Sequence, residues 1–211
     1  MLLILVRHAL TPMTGKKLSG WLPGINLSDE GREQAKATAA RLSDIKIDAA
    51  FTSPLERCVQ TAEIILQGRD MSATILEDLG EIKYGQWEGR SLASLYKTKA
   101  WKQLKSRPAD FRFPGGETIR EAQVRGMRAI EAIRTKKQGK VVLVFSHADM
   151  IRILVAGYLG LALDLYDRIS VWPATATVMQ LGEGQARLLK LAEGDGLAEI
   201  VQRSKQARSK V

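Results

Sequence analysis

The chain has 211 residues and a net charge of +9, and 45% of its residues are hydrophobic against 26% charged. This size and balance predict one folded domain with a real core and exclude wholesale disorder. The single cysteine excludes an internal disulfide and fits a reducing compartment. The sequence shows no signal-peptide pattern and no run near the roughly 20 apolar residues of a membrane span, so we expect a cytoplasmic protein with no membrane partner.

The basic balance favours anionic ligands. Part of the positive charge lies in residues 196–211, which show no apolar periodicity. We therefore expect a single domain over residues 1–195 and a basic, flexible tail behind it. Since no basic stripe interleaved with aromatic residues and no zinc-ligand spacing is present, we predict no specific nucleic-acid partner.

The first predicted element is a strand that ends in two nitrogen-rich side chains. Residues 2–6 are an apolar run typical of a strand buried on both faces, and Arg7 and His8 follow at once. Residues 9–27 form a loop rich in glycine and proline, long enough to indicate a functional role. A helix over residues 28–42 follows, with Ser28 as its predicted N-cap.

A second strand over residues 47–52 leads into a strong helix-start signal. In the sequence Ser53-Pro54-Leu55-Glu56, Ser53 is the predicted N-cap, Pro54 takes the first helical position and Glu56 closes a capping box. Arg57 then lies in the first turn of the helix. It is therefore expected close to the end of the second strand.

The middle of the chain predicts a third strand at residues 74–77 and then a less regular region. Residues 80–116 read as a small, partly helical insertion over the sheet edge and the active site, with one helix over residues 91–105. Thr118 and Glu121 form another capping box, which begins a long amphipathic helix.

The last third of the chain repeats the design of its beginning. Residues 141–145 are an apolar run, His147 follows directly after Ser146, and a helix is predicted over residues 149–159. Later strands are predicted at Val171, 178–181 and 188–191, the last two as a hairpin. Alternating strands and helices predict an α/β fold with a mostly parallel central sheet and helices on both faces.

The two histidines of the chain each lie just past the end of a buried-type strand. In open α/β sheets, ligands bind at the carboxyl ends of the strands. The sequence therefore predicts that His8 and His147 meet in one site.

The charged residues near these strand ends indicate phosphoryl chemistry. Two guanidinium groups, Arg7 and Arg57, fit phosphate oxygens, and a neutral His8 can attack phosphorus. A protonated His147 can donate hydrogen bonds to the phosphoryl oxygens. Glu81 is the candidate for protonating the leaving oxygen, provided that burial offsets the nearby positive charge that would lower its pKa.

A metal site built from His8, His147 and a carboxylate is the main chemical alternative. Arg7 argues against it, because a guanidinium beside His8 repels a cation. The glycines of the first loop form neither a P-loop nor a dinucleotide fingerprint, so they do not indicate a bound nucleotide.

Several segments together resemble the histidine phosphatase superfamily, also called the phosphoglycerate mutase-like family. The resemblance covers most of the chain, from Leu2 to about Val178. The matching segments, in the family's order, are Leu5-Val6-Arg7-His8, Leu27-Ser28 with Gln34-Ala35, Ser53-Pro54-Leu55-Glu56-Arg57, Glu81-Ile82 with Gly85-Gln86-Trp87-Glu88-Gly89, Pro114-Gly115-Gly116-Glu117-Thr118 and Ser146-His147.

This resemblance implies a three-layer α/β/α fold without a metal cofactor. It implies His8 as the phosphorylated nucleophile, Glu81 as proton donor, and Arg7, Arg57 and His147 as the phosphate pocket. Thr11 matches a loop position that helps to bind phosphate. Ser19-Gly20-Trp21 and Tyr84 look like mutase positions and are carried as further substrate-binding candidates.

The chain departs from the family pattern at a few positions. Ala9 and Ala148 stand where the family usually has glycine, and Thr14 replaces a loop asparagine. The added methyl groups of Ala9 and Ala148 are expected to crowd a backbone that approaches the phosphate. Ala148 and Thr14 are included among the substrate-binding positions that the resemblance implies. We still expect an active enzyme, because the charged and imidazole groups are all present.

The leading hypothesis is a phosphomonoester hydrolase acting on a small phosphorylated metabolite. A cofactor-dependent phosphoglycerate mutase is the first alternative, and a non-catalytic module that binds a phospholigand or inorganic phosphate is the second. A basic nucleic-acid binder is the last. The oligomeric state is expected to be a monomer or a homodimer.

Overall fold

A computed structural model describes residues 1–194 of the chain. The strands are β1 Leu2–Arg7, β2 Ala49–Thr52, β3 Ala73–Ile75, β4 Val141–Ser146, β5 Ala176–Leu181 and β6 Ala186–Glu193. The α-helices are α1 Asp29–Arg41, α2 Glu56–Leu66, α3 Leu92–Tyr96, α4 Lys99–Ser106, α5 Ile119–Lys136 and α6 Ala148–Leu159. The predicted tail, residues 196–211, lies outside the described residues.

The strands form one six-stranded sheet in the order β3-β2-β4-β1-β5-β6. β1, β2, β3 and β4 run parallel to one another, while β5 pairs with β1 antiparallel and β6 returns beside β5. The predictions of a mostly parallel sheet and of a C-terminal hairpin are confirmed. The strand predicted at Val171 is wrong, because Val171 lies in an irregular segment and its carbonyl accepts a hydrogen bond from the Arg7 guanidinium.

Apolar residues cover both faces of the sheet, as the run of β1 predicts. Leu3 and Leu5 join a buried cluster with residues of α5 and α6, whereas Ile4 and Val6 join a second cluster with residues of α1 and α2. Successive side chains of a strand point to opposite faces. β1 therefore lies between two helical layers, which gives the expected three-layer α/β/α fold.

The helix starts follow the sequence signals at two of three sites. The Ser28 hydroxyl accepts from the N–H of Gly31 at the start of α1, and Thr118 forms a complete capping box at the start of α5. The cap predicted at Ser53 is wrong. α2 begins at Glu56 with Leu55 as its N-cap and without a side-chain cap. The Ser53 hydroxyl accepts from the N–H of Leu55 at 3.3 Å, ahead of the helix, and also lies 2.7 Å from His147 Nε2.

Residues 80–116 contain two short helices where one was predicted. Thr98 divides the segment, since its hydroxyl accepts from the N–H of Trp101 and starts α4 separately from α3. An aromatic cluster joins this region to the core: Tyr84, Trp87, Trp101, Phe111 and Phe113. Within residues 1–194, no helix combines the length and the apolar character needed to cross a membrane.

Candidate active site

His8 follows β1 directly, and a backbone contact fixes its tautomer. Its Nδ1 lies 2.7 Å from the carbonyl oxygen of Ala9. A carbonyl only accepts, so Nδ1 carries the hydrogen and Nε2 keeps a free lone pair. Burial, followed by the charges of Arg57 and Arg7, holds the pKa of His8 well below its usual value. The ring is therefore neutral at neutral pH, with Nε2 as a nucleophilic atom.

His147 follows β4 in the same way and is fully buried. Its Nδ1 lies 3.2 Å from Arg57 Nη2, and its Nε2 lies 2.7 Å from the Ser53 hydroxyl. A guanidinium only donates, so Nδ1 is the acceptor and Nε2–H donates to Ser53 in this state. Burial and then the charge of Arg57 lower the pKa of His147 well below its usual value, so the ring is neutral here. Donation from both ring nitrogens requires the protonated form.

The structure brings the two imidazoles together. Their ring centroids lie 5.3 Å apart, with the planes tilted by 58°. The cause is strand register: β1 and β4 are parallel neighbours in which Arg7 pairs with Ser146. The residue after each strand therefore reaches the same point at the edge of the sheet.

Two guanidinium groups flank these rings with unused hydrogen-bond donors. Arg57 is 1% exposed, and its Nη2 donates to the carbonyl of Gly20 at 2.8 Å. Arg7 donates from Nη1 to the carbonyl of Val171 at 2.8 Å. Among residues 1–194, Arg7 Nε, Arg57 Nε and Arg57 Nη1 are buried without a partner. Burying a hydrogen-bond donor without an acceptor costs free energy. These N–H groups therefore indicate a binding site for an anion.

Glu81 supplies a buried carboxyl group that the charges of Arg57 and Arg7 influence. Its Oε1 accepts from the backbone N–H groups of Ile82 at 3.0 Å and Met150 at 3.3 Å. Burial, and then the negative charge of Asp149, raise the pKa of Glu81 to about 7. Burial thus outweighs the nearby arginines, and the carboxyl group can hold or release a proton at neutral pH.

Tyr84 is buried but is bonded away from the two imidazoles. Its hydroxyl donates to Asp149 Oδ2 at 2.7 Å, and Arg152 Nη1 donates to Asp149 Oδ1 at 2.7 Å. The carboxylate that influences Glu81 is therefore fixed by two donors. The structure thus places Tyr84 in contact with this carboxylate, and its predicted role as a substrate-binding group stays a prediction.

The long first loop contributes in an uneven way. Thr11 and Thr14 contact each other, with their hydroxyl oxygens 3.0 Å apart. Gly20 enters the site through its carbonyl, which Arg57 contacts. The Ser19 carbonyl accepts from the N–H of Leu22, and its hydroxyl makes no hydrogen bond within residues 1–194. Ala148 follows His147 as the first residue of α6.

The methyl group of Ala9 does not crowd the site. Ala9 is 0% exposed and belongs to the apolar cluster beneath α1 and α2, and its N–H donates to the Thr61 hydroxyl at 3.1 Å. The expected crowding at this position is wrong, because the side chain points into the core.

Three residues near the site escaped the sequence interpretation. Ser53 was predicted as a helix cap. Asp149 was not singled out beyond beginning a predicted helix, although its place two residues after His147 was a usable signal. Arg125 looked like one polar residue of an amphipathic helix. It donates to the carbonyl of Glu81 at 2.7 Å, a long-range contact that no local pattern indicates.

Comparison with known proteins matches this site to one family. A family model described as the histidine phosphatase superfamily (branch 1) matches residues 3–194. Phosphoserine phosphatase 1 from Hydrogenobacter thermophilus is 27% identical over 191 residues, which cover 90% of each chain. A probable phosphoglycerate mutase, GpmB, from Escherichia coli O1:K1 / APEC is 32% identical over 159 residues, 74% of each chain.

The fold has close counterparts among solved structures. Bacillus stearothermophilus YhfR superimposes with a TM-score of 0.84 at 26% sequence identity, covering 92% of this chain and 97% of that chain.

Proposed function

The chain belongs to the histidine phosphatase superfamily, and on that premise we propose that it hydrolyses phosphomonoesters of small metabolites by carrying the phosphoryl group on His8. One observation supports this most directly: two neutral imidazoles 5.3 Å apart lie beside buried guanidinium N–H groups without partners. A tetrahedral dianion satisfies those donors and compensates both positive charges.

The first step transfers the phosphoryl group to the protein. Nε2 of His8 attacks phosphorus, a P–N bond forms and the bond from phosphorus to the ester oxygen breaks in line. The protonated carboxyl of Glu81 gives its proton to the leaving alkoxide, which departs as an alcohol. Arg7 and Arg57 offset the charge on the phosphoryl oxygens during the transfer.

The second step returns the protein to its starting state. The Glu81 carboxylate accepts a proton from water, whose oxygen attacks phosphorus as the P–N bond breaks. Inorganic phosphate leaves, His8 is again neutral and Glu81 is again protonated. A pKa of about 7 allows this one group to serve as acid and then as base.

In this proposal His147 becomes protonated when an anion binds and then donates a hydrogen bond to it. Its Nε2–H donates to Ser53 when the site holds no anion. A bound dianion lowers the cost of protonating the ring, so that Nδ1–H can donate to a phosphoryl oxygen in place of the contact with Arg57. Thr11, Thr14, Ser19, Gly20 and Ala148 are proposed to line the substrate side.

The proposal includes the organisation of the chain. Residues 1–195 act as one cytoplasmic domain, with residues 80–116 over the active site. Its working form is a monomer or a homodimer.

A phosphoglycerate mutase is the second candidate, because a relative that is 32% identical carries that name as a probable function. The two reactions share the phosphohistidine and differ in its acceptor, which is water in the hydrolase and a sugar-acid hydroxyl in the mutase. The relative called a phosphoserine phosphatase spans 90% of this chain, which favours hydrolysis.

The test measures inorganic phosphate released from a panel of phosphomonoesters, beside mutase activity with and without bisphosphoglycerate. We expect phosphate release, trapping of an acid-labile, base-stable phosphoryl group on the wild-type protein, and a loss of at least about 10³-fold in His8→Ala. Phosphoglycerate interconversion without net phosphate release supports the mutase. Phosphate binding with no turnover on the whole panel supports the phospholigand module.

A further inference from the structure

Arg125 of α5, which is largely covered, differs from the two arginines in the site because every donor it has is used. Its Nε and Nη2 donate to the two oxygens of Glu117, at 3.1 and 2.6 Å. Its Nη1 donates to the carbonyls of Asp78 at 2.8 Å and Gly80 at 2.9 Å. Nη2 also donates to the carbonyl of Glu81 at 2.7 Å. These contacts account for all of the guanidinium N–H groups.

Glu117 also contacts the backbone of this segment, at Lys83. Its Oε1 accepts from the N–H of Lys83 at 2.8 Å, and its own N–H donates to the carbonyl of Lys83 at 3.0 Å. Arg125 and Glu117 are each 12% exposed at the side chain. Residues 78–83 are therefore held by a buried ion pair that bonds only to their backbone.

The Pro114-Gly115-Gly116-Glu117-Thr118 segment explains how this pair comes so close. A Cβ atom at Gly116 would lie 2.1 Å from the carbonyl oxygen of Lys83, so only glycine permits the approach. The carbonyl of Pro114 accepts from the N–H of Gln86 at 2.8 Å. The motif thus packs backbone against backbone beside the segment that carries Glu81.

Trp21 of the first loop also contacts this segment. Its Nε1–H donates to the carbonyl of Glu81 at 2.6 Å, the same oxygen that Arg125 contacts. The backbone of Glu81 is thus fixed by two donors from distant parts of the chain. Its carboxyl group is held separately, by the N–H groups of Ile82 and Met150.

We propose that Arg125 and Glu117 are positioning residues that fix the backbone of Glu81 so that its carboxyl group meets the leaving oxygen of the substrate. This inference rests on the proposed function and extends it to residues that touch neither substrate nor His8. Because Glu117 compensates the charge of Arg125, the pair supplies rigidity without adding a net positive charge near the proton donor. A misplacement of about 1 Å is enough to reduce proton transfer strongly.

The test compares two substrates of one enzyme: an alkyl phosphomonoester, whose leaving oxygen needs a proton, and 4-nitrophenyl phosphate, whose leaving oxygen does not. We expect Arg125→Met to slow the alkyl ester by about tenfold or more relative to the activated ester. Glu117→Gln, a milder change that keeps the side-chain shape, is expected to shift the same ratio by about threefold. Arg128→Met is the matched control, because Arg128 lies on the same helix with its side chain 70% exposed, and no change in the ratio is expected.

Hydrogen exchange provides a readout that does not depend on turnover. Faster exchange at the amides of Ile82 and Lys83 in Arg125→Met and Glu117→Gln, with the sheet amides unchanged, supports the proposal. Equal losses on both substrates, or an unchanged ratio in both variants, overturn it. If the wild-type protein hydrolyses neither ester, the hydrolase proposal has failed, and unaltered exchange at Ile82 and Lys83 then overturns the positioning role as well.

Discussion

Arg57, which is buried, and Arg125, whose side chain is 12% exposed, both lie near Glu81, yet they are bonded in opposite ways. Arg57 uses one nitrogen for the carbonyl of Gly20 and the ring of His147, and its other two nitrogens are buried without partners within residues 1–194. Arg125 bonds to three carbonyls and to the carboxylate of Glu117.

The difference separates an arginine that can bind a ligand from one that stabilises the surrounding backbone. A buried guanidinium whose N–H groups lack acceptors lowers the free energy of unfolding. An anion that accepts hydrogen bonds from these groups offsets that loss. A guanidinium with every bond made has nothing left to offer a ligand and acts only on the chain around it. The comparison therefore assigns Arg57 to the phosphate and Arg125 to the backbone of Glu81.

The largest difference between the two arginines is expected in the free energy of unfolding of Arg57→Met and Arg125→Met. Arg125→Met leaves the carboxylate of Glu117 buried without its partner, so we expect it to lower the free energy of unfolding by about 3–5 kcal/mol. Arg57→Met removes a buried charge that lacks a carboxylate partner, and we expect a change within about 1 kcal/mol. Urea denaturation measures both values. Equal destabilisation by the two substitutions contradicts the assignment.

Inorganic phosphate should stabilise the protein through the open donors. At a concentration about 100 times its dissociation constant, phosphate adds about 2.7 kcal/mol to the free energy of unfolding if it binds only the folded state. The rise in melting temperature, measured against chloride at equal ionic strength, is expected in the wild type and in Glu117→Gln. It should vanish in Arg57→Met, and its persistence there argues against Arg57 as a phosphate ligand.

The pH dependence of turnover tests the carboxyl group of Glu81. Glu81 must be protonated to assist an alkyl leaving group, and burial raises its pKa to about 7. Activity is therefore present below that pH and falls as the pH rises through it, approaching about tenfold per pH unit. The pKa of His8 is lowered well below its usual value, so the nucleophile stays neutral at pH 6 to 7.

The quantity to measure is kcat/KM for the alkyl ester across pH, in the wild type and in Glu81→Gln. The substitution should remove the fall above neutral pH and should affect 4-nitrophenyl phosphate much less. A fall that persists unchanged in Glu81→Gln assigns the titration to another group.

The smallest effect is expected at Arg128, which pairs with Asp78 at 2.8 Å on the surface of α5. Exposed ion pairs contribute little, so Arg128→Met should change the free energy of unfolding by no more than about 0.5 kcal/mol. A larger loss, measured by urea denaturation, shows that charge on this helix matters irrespective of burial.

Much of the fold and part of the site followed from local pattern. The apolar run of β1 predicts a strand buried on both faces, and the capping box of Thr118 places the start of α5 correctly. The pairing of His8 with His147 was predictable because each follows such a strand. The cap predicted at Ser53 was wrong, because α2 begins only at Glu56, and the Ser53 hydroxyl also lies 2.7 Å from a histidine 94 positions away in the chain.

The sequence by itself determined which chemical groups are available and which segments form strands and helices, because both depend on residues close together in the chain. Which arginine keeps donors without acceptors, and which has all of its donors bonded, follows only from the folded structure. The sequence predicted Arg57 as part of the phosphate pocket and did not single out Arg125, but the state of their donors depends on carbonyls and carboxylates that folding brings near. Hydrogen-bond saturation and burial, which also set the raised pKa of Glu81, are properties of the packed chain.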